Sequence, residues 1–319
     1  MVRVIAWEEI ASVLPHIDLV TPIKEGFVAY SSGRAMLSPV GELPMPAGEV
    51  HIKSGFIGGE AHFVVKVATG FYGNPARGLS SSNGLFAIFD AECGAPVAIL
   101  LDEGRLTDIR TAIAGAIAAE CLAPANVTAV GVLGAGTQAR LQLEYLKPIT
   151  KCRRAVVWAR RREAAERYCH DLACAGFDVV LADEPAEVAQ RANLIVTATP
   201  SAAPVLHADD IRPGTHITAI GADSPGKNEL DPLLLARADL LVADSLAQCR
   251  ERGDIAHALE ARCLREDKIV ELGTILSGET RGRTQMDQIT IADITGVAVQ
   301  DLKIAQAVYS AVMAERGTA

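Results

Sequence analysis

The run GAGTQA at Gly134–Ala139 follows a short apolar segment, VTAVGVL (127–133), and leads into ARLQLEYL, whose apolar residues recur at helical spacing. This is the pattern G-x-G-x-x-A set between a strand and a helix, and each residue type has a physical task there. Gly134 permits a tight turn, Gly136 lets the backbone approach a pyrophosphate, and Ala139 keeps helix and strand close. The helix N-terminus offers free N–H groups to an anion. Gly134, Ala135, Gly136, Thr137 and Gln138 are therefore the expected cofactor-binding turn. An acid roughly 20 residues further on normally accepts hydrogen bonds from a ribose 2′-hydroxyl. None stands between Glu144 and Glu163; the second strand ends on Trp158, Ala159 and Arg160, with Arg161 and Arg162 following. An arginine there favours a 2′-phosphate, so NAD(P)H is the expected cofactor, with NADP(H) preferred over NAD(H) and Arg160 as the contact.

The elements that must hold this turn repeat along the chain. After Val127, strand-like runs RAVVWA (154–159), LIVTAT (194–199), HITAIG (216–221) and LLVAD (240–244) alternate with helical segments over short connections. That alternation specifies a doubly wound parallel sheet of the Rossmann type, with ligands gathered beyond the carboxyl ends of its strands, where Thr199 is a further cofactor candidate. Before Val127 the pattern changes. EVHIKSGFI, HFVVKVATGF, GLFAIFDA and APVAILLDE alternate apolar and polar residues between turn signals, which reads as a mostly antiparallel sheet. Helices are expected at Trp7–Val13, Pro22–Ser31, Asp108–Leu122 and Val297–Arg316. The fold class is thus α/β with a second α+β domain: residues 1–124, completed by the C-terminal helix at 293–319, and a nucleotide domain at 125–292.

Composition narrows the chemistry. With 30 Lys and Arg against 39 Asp and Glu, the net charge is −9 and no long basic run tracks a phosphate backbone, so nucleic acid is not an expected partner. No segment has the length and apolarity of a membrane span, and the N-terminus has no secretory pattern, so a cytoplasmic protein is expected. Seven scattered cysteines include no C-x-x-C pair. They read as reduced thiols, with neither a metal site nor a disulfide framework.

The ordered segments VVKVATGFYGNP (64–75), GLSSSNG (78–84), FDAECGAPVAILLDEGRLTDIRTAIAGAIAA (89–119), GAGTQA and IGADSPGKNEL (220–230) resemble the ornithine cyclodeaminase and mu-crystallin family, which also holds alanine dehydrogenases and imino-acid reductases. The resemblance implies a homodimer, with the first domain and the last helix forming the substrate and dimerisation part. It places Lys66 beside the substrate nitrogen, Asp223 as an acid–base group and Arg110 on the substrate carboxylate. It also implies that Thr111 helps bind the pyrophosphate and that Ser81 stands where the family usually has a threonine hydroxyl. A lysine in an apolar strand is expensive to bury without a partner, which is an independent hint for Lys66. Gly41 stands where many cyclodeaminases have the arginine of a P-x-R motif. Lys53, which shares a strand face with His51, is the expected replacement cation, and His51 is either a weaker substrate contact or an ordinary structural histidine.

The chemistry implied is exchange of a hydride between a nicotinamide and the α-carbon of a small amino or imino acid, such as iminosuccinate or an alanine-like substrate. Ornithine cyclodeamination, which releases ammonia and yields proline without net change of cofactor, is the alternative reading. A crystallin-like binding protein without turnover is the third.

Overall fold

The computed structural model describes residues 2–317, without the side chains of Pro75, Arg316 and Gly317. They divide into two compact units, residues 1–110 with 297–319, and residues 111–296.

The first unit carries a seven-stranded sheet of β1 (Arg3–Ile5), β2 (Ala35–Leu37), β3 (Gly41–Met45), β4 (Gly48–Ile57), β5 (His62–Gly70), β6 (Ser82–Asp90) and β7 (Pro96–Leu100). Its order is β1-β7-β6-β5-β4-β2, with β3 also on β4. Every pairing is antiparallel except that of β1 with β7, a strand that the alternation pattern did not announce. Strict period-2 alternation turns Lys53, Gly55 and Ile57 of β4 to one face, and Val64 and Lys66 of β5 to the same face. Across the sheet Lys53 pairs with Lys66, Lys66 with Phe86, and Phe86 with Leu100, so one row runs cation, cation, aromatic, aliphatic. The unit's helices are α1 (Trp7–Val13), α2 (Val20–Ser31), the start of α3 (Arg105–Leu122) and, from the far end of the sequence, α11 (Ala298–Gly317). Helix α11 packs on β4 and β5 and against α2. Burial of Val299, Leu302, Ile304, Ala305 and Val308 drives that docking.

The second unit holds β8 (Val130–Leu133), β9 (Arg154–Trp158), β10 (Asp178–Leu181), β11 (Leu194–Thr197), β12 (Ala202–Leu206), β13 (His216–Ala219), β14 (Asn228–Leu230), β15 (Leu240–Ala243), β16 (Ile269–Glu271) and β17 (Thr290–Asp293). Eight of them form one parallel sheet in the order β10-β9-β8-β11-β13-β17-β15-β16. Strands β12 and β14 form a separate parallel pair. The helices are α4 (Thr137–Leu146), α5 (Arg162–Cys174), α6 (Pro185–Arg191), α7 (Pro232–Arg237), α8 (Leu246–Cys249), α9 (Asp254–Glu260) and α10 (Leu272–Leu276). Strands β8, β11, β13 and β17 are buried throughout, as expected of a sheet covered on both faces. The chain reverses its direction of travel across the sheet between β8 and β11, which is the switch point where such sheets take their ligands. Strand β8 begins three residues later than the apolar run, because the Thr128 N–H is taken by Asn193 Oδ1 at 2.9 Å instead of a strand partner.

Four carboxyl groups are fully buried in this unit, those of Glu229, Asp244, Asp254 and Asp293. Glu229 accepts from Thr197 Oγ1, Thr199 N, Thr199 Oγ1 and Gly221 N, all within 2.7 Å, and so ties the end of β11 to the end of β13. Asp254 Oδ1 accepts from Glu229 N at 2.6 Å and Leu230 N at 2.9 Å, while its Oδ2 is buried without a hydrogen-bond partner. Asp293 Oδ2 accepts from Ile255 N at 2.8 Å. Among the described residues no group of His, Cys, Asp and Glu is arranged to hold a metal ion. Burial raises Glu229 and Asp254 to about 7 and puts Asp293 well above the carboxylate range, each helped or held by its neighbours. The folded state thus binds protons that the unfolded chain has released, so the stability these groups contribute is complete below about pH 4 and is lost as pH rises through about 7. In Asp254→Asn, the amide oxygen keeps both backbone donors and the middle charge disappears. We expect stabilisation on the order of 1–3 kcal/mol at pH 8 and little change at pH 5, read from urea unfolding at the two pH values. Equal shifts at both would contradict this account.

Candidate functional site

In the first unit, four charged side chains meet under the start of α11. Asp301, in its first turn, has Lys66 Nζ at 3.0 Å from Oδ1 and 2.9 Å from Oδ2, and Arg110 Nε at 2.9 Å from Oδ1. Arg110 Nη1 also donates to Gln300 Oε1 at 3.0 Å. Lys53 lies opposite Lys66 in the strand register and within electrostatic reach of both Lys66 and Asp301. All are buried, Lys66 and Asp301 to 1% exposure. Asp301 thus faces three cations, and Lys66 is also within electrostatic reach of the buried Asp102. Burial alone would raise Asp301, but Arg110, Lys66 and Lys53 outweigh it and hold the carboxyl below its usual range. Lys66 shifts the other way: burial, then the charges of Arg110 and Lys53, push its amine down to about 7 against the opposing pull of Asp301. Such a group exchanges its proton near neutral pH, and the surplus of positive charge suits an anion. Asp102, at the N-terminus of α3, accepts from Leu106 N at 2.9 Å and is raised by burial to about 6.

The other residues expected near substrate are spread more widely. His51 is on the same strand face as Lys53 but further from α11, with Nε2 3.6 Å from Glu49, whose carboxylate accepts from Tyr72 OH at 2.6 Å. Ser81 lies just before β6, where its carbonyl accepts from Phe71 N at 2.8 Å. Gly41 begins the exposed strand β3. Asp301 and Gln300 were missed in the sequence. The signal was there: two polar residues within VAVQDL, a helix start that is otherwise buried and apolar, have to find partners.

In the second unit the 134–139 turn fits a dinucleotide. Gly134 has φ +123°, and a Cβ there would lie 2.6 Å from the carbonyl oxygen of Ala198, so no larger residue can hold the turn against β11. Gly136 has open space around it and precedes α4, whose first turn has no capping side chain. The backbone N–H groups of this first turn lie at the helix N-terminus, where phosphate oxygens are favoured. Thr199 stands at the same strand-end edge, although its N–H and hydroxyl both donate to Glu229. Asp223 follows β13, half exposed and 2.8 Å from Lys227 Nζ. Thr111, in α3, uses its carbonyl to receive Gln142 Nε2 at 3.2 Å. Arg160 and Arg161 are exposed after β9. Arg162 is held by Asp183 at 2.6 Å and Glu166 at 3.1 Å.

The profile of the ornithine cyclodeaminase/mu-crystallin family matches residues 3–316. An uncharacterised cyclodeaminase of Sinorhizobium fredii is 40% identical over 309 residues, spanning 95% of this chain and 93% of its own. An archaeal alanine dehydrogenase dimer with bound NAD superposes with a TM-score of 0.89 at 31% identity, covering 99% of this chain and 97% of that one. The iminosuccinate reductase of Paracoccus denitrificans in complex with NAD+ gives a TM-score of 0.88 at 30% identity, covering 98% and 97%. These two structures correct the expected preference for NADP(H), since each holds NAD and not its 2′-phosphate. In this chain Arg162, the third of the consecutive arginines, is paired with Asp183, which follows β10 on the neighbouring strand.

Because Asp301 is what keeps the Lys66 amine from falling further, replacing its charge has a signed effect. In Asp301→Asn the Lys66 pKa should drop below about 7 by roughly a unit or more. Nζ resonances of 13C,15N-lysine-labelled protein followed with pH would measure it. An unchanged midpoint would mean that Asp301 does not govern Lys66.

Proposed function

Since the chain belongs to the ornithine cyclodeaminase/mu-crystallin family over nearly its whole length, we propose that it is an NAD(H)-dependent oxidoreductase of a small amino or imino acid, working as an amino-acid dehydrogenase or imine reductase. The observation that carries this reading is the buried pairing of Lys66 and Arg110 with Asp301, with Lys53 opposite Lys66 in the strand register. A substrate that brings a carboxylate and a nitrogen which gains or loses a proton suits that cluster.

The turn at Gly134–Gln138 would hold the pyrophosphate, with Thr111, Thr199 and Arg160 at its margins. When bound, the nicotinamide gives or takes a hydride at the substrate α-carbon. The protein's own part is positional and protonic. Arg110 receives the α-carboxylate, as its planar fork suits. Lys53 adds a second cation. Lys66, poised near neutrality, passes a proton to or from the substrate nitrogen or a water, and Asp223 serves as a further acid–base group. Ser81 and His51 would line the substrate's outer end. Residues 1–124 with 293–319 would form the substrate and dimerisation part, and residues 125–292 the nucleotide domain, in a homodimer like the archaeal relative. Among the described residues no helix is long and apolar enough to cross a membrane. All seven cysteines are unpaired thiols, which supports a reducing, cytoplasmic setting.

Ornithine cyclisation has less support, because Gly41 offers no guanidinium and its strand is exposed. A panel of amino acids, imino acids and 2-oxo acids with ammonia, run with NAD(H), separates the readings. Steady loss or gain of reduced nicotinamide is expected with at least one of them, whereas ammonia release from ornithine at constant absorbance would reverse the choice. Lys66→Ala should lower kcat/KM by about 100-fold or more while nucleotide affinity stays the same. Undiminished turnover in that variant would refute the role given to Lys66.

A further inference from the structure

On the reading that Arg110 receives the substrate carboxylate, we propose that Gln300 is a second substrate ligand, its side-chain amide donating a hydrogen bond to that same carboxylate. Gln300 is fully buried in the first turn of α11. Its Oε1 accepts from Arg110 Nη1 at 3.0 Å. That bond fixes the amide's orientation, because the opposite flip would set N–H against N–H. Nε2 then points away from the guanidinium, and it is buried with no hydrogen-bond partner. The nearest carboxylate along the chain, Asp301, already serves Lys66 and Arg110. A buried donor without an acceptor is rare in folded proteins and is costly to maintain.

An incoming carboxylate resolves this. Arg110 bonds Gln300 through Nη1 and lies 2.9 Å from Asp301 at Nε, an ion-pair contact in which Nε makes no hydrogen bond. Two planar groups joined by one hydrogen bond thus both keep donors in reserve for the oxygens of one carboxylate. Gln300 is also neutral, so it adds directionality to a site already rich in cations without deepening its charge imbalance.

The test compares 1-pyrroline-2-carboxylate with 1-pyrroline, the same imine lacking the carboxylate, in the full-length chain with NADH. In the wild type the ratio of kcat/KM for the two measures what carboxylate recognition contributes. Gln300→Met, which keeps length and volume, should raise KM for the carboxylate and shrink that ratio roughly tenfold, with kcat, NADH affinity and thermal midpoint nearly unchanged. Crystals of the wild type soaked with L-proline should place Gln300 Nε2 within about 3.2 Å of a carboxylate oxygen. An unchanged ratio, or a carboxylate bound only by Arg110 with Gln300 serving as its prop, overturns the assignment. Absence of wild-type turnover with any imino acid would remove the proposed function and this inference together, whereas turnover with an unchanged ratio removes the inference alone.

Discussion

Two lysines directly opposite one another on adjacent strands are a repulsive arrangement, and in an apolar interior it is severe. Lys53 and Lys66 are paired in this way, and Arg110 adds a third cation. The sheet face they occupy is tolerable because α11 lowers Asp301 into their midst. The cations hold Asp301 below the usual carboxylate range, while burial and the neighbouring charges push the Lys66 amine down to about 7. The Arg110 guanidinium is only partly satisfied. The same arrangement that weakens the fold locally prepares it for an anionic ligand, as expected where function and stability compete.

The nucleotide unit handles buried charge by the opposite means. Glu229, Asp254 and Asp293 are raised by burial and accept hydrogen bonds from backbone N–H donors. Glu229 spends its oxygens on Thr197, Thr199 and Gly221, the termini of two neighbouring strands. Gly221 is required there, since a Cβ would come within 2.1 Å of the Thr199 carbonyl oxygen. The strand-end edge that would meet a nucleotide is therefore rigid from below, and its loops need little ordering when a ligand arrives.

Much of this was legible in the sequence, for reasons that can be named. Period-2 runs at 49–57 and 62–71 specify strands whose faces are fixed by the pleat, and the glycine turn at 134–139 is a local motif with a local purpose. The strand and helix alternation after Val127 similarly announced a parallel sheet. Illegible were the features that arise only when distant segments meet. Asp301 is an unremarkable acid until α11 crosses β4 and β5. Asp183 has no relation to Arg162 along the chain, yet the pairing of β10 with β9 brings them together. The short strands β1, β12 and β14 are too brief to carry a period of their own.

The cluster's counter-charge lies 235 positions beyond Lys66, with the entire nucleotide unit encoded between them. During synthesis, the antiparallel sheet emerges first with its buried cations uncompensated, and it must wait while the parallel sheet is made and can fold as an independent module. Only when the closing helix leaves the ribosome does the sheet acquire both its lid of apolar side chains and its anion. The order in which the polypeptide is written thus leaves the buried cations without Asp301 until the segment that carries it has been made.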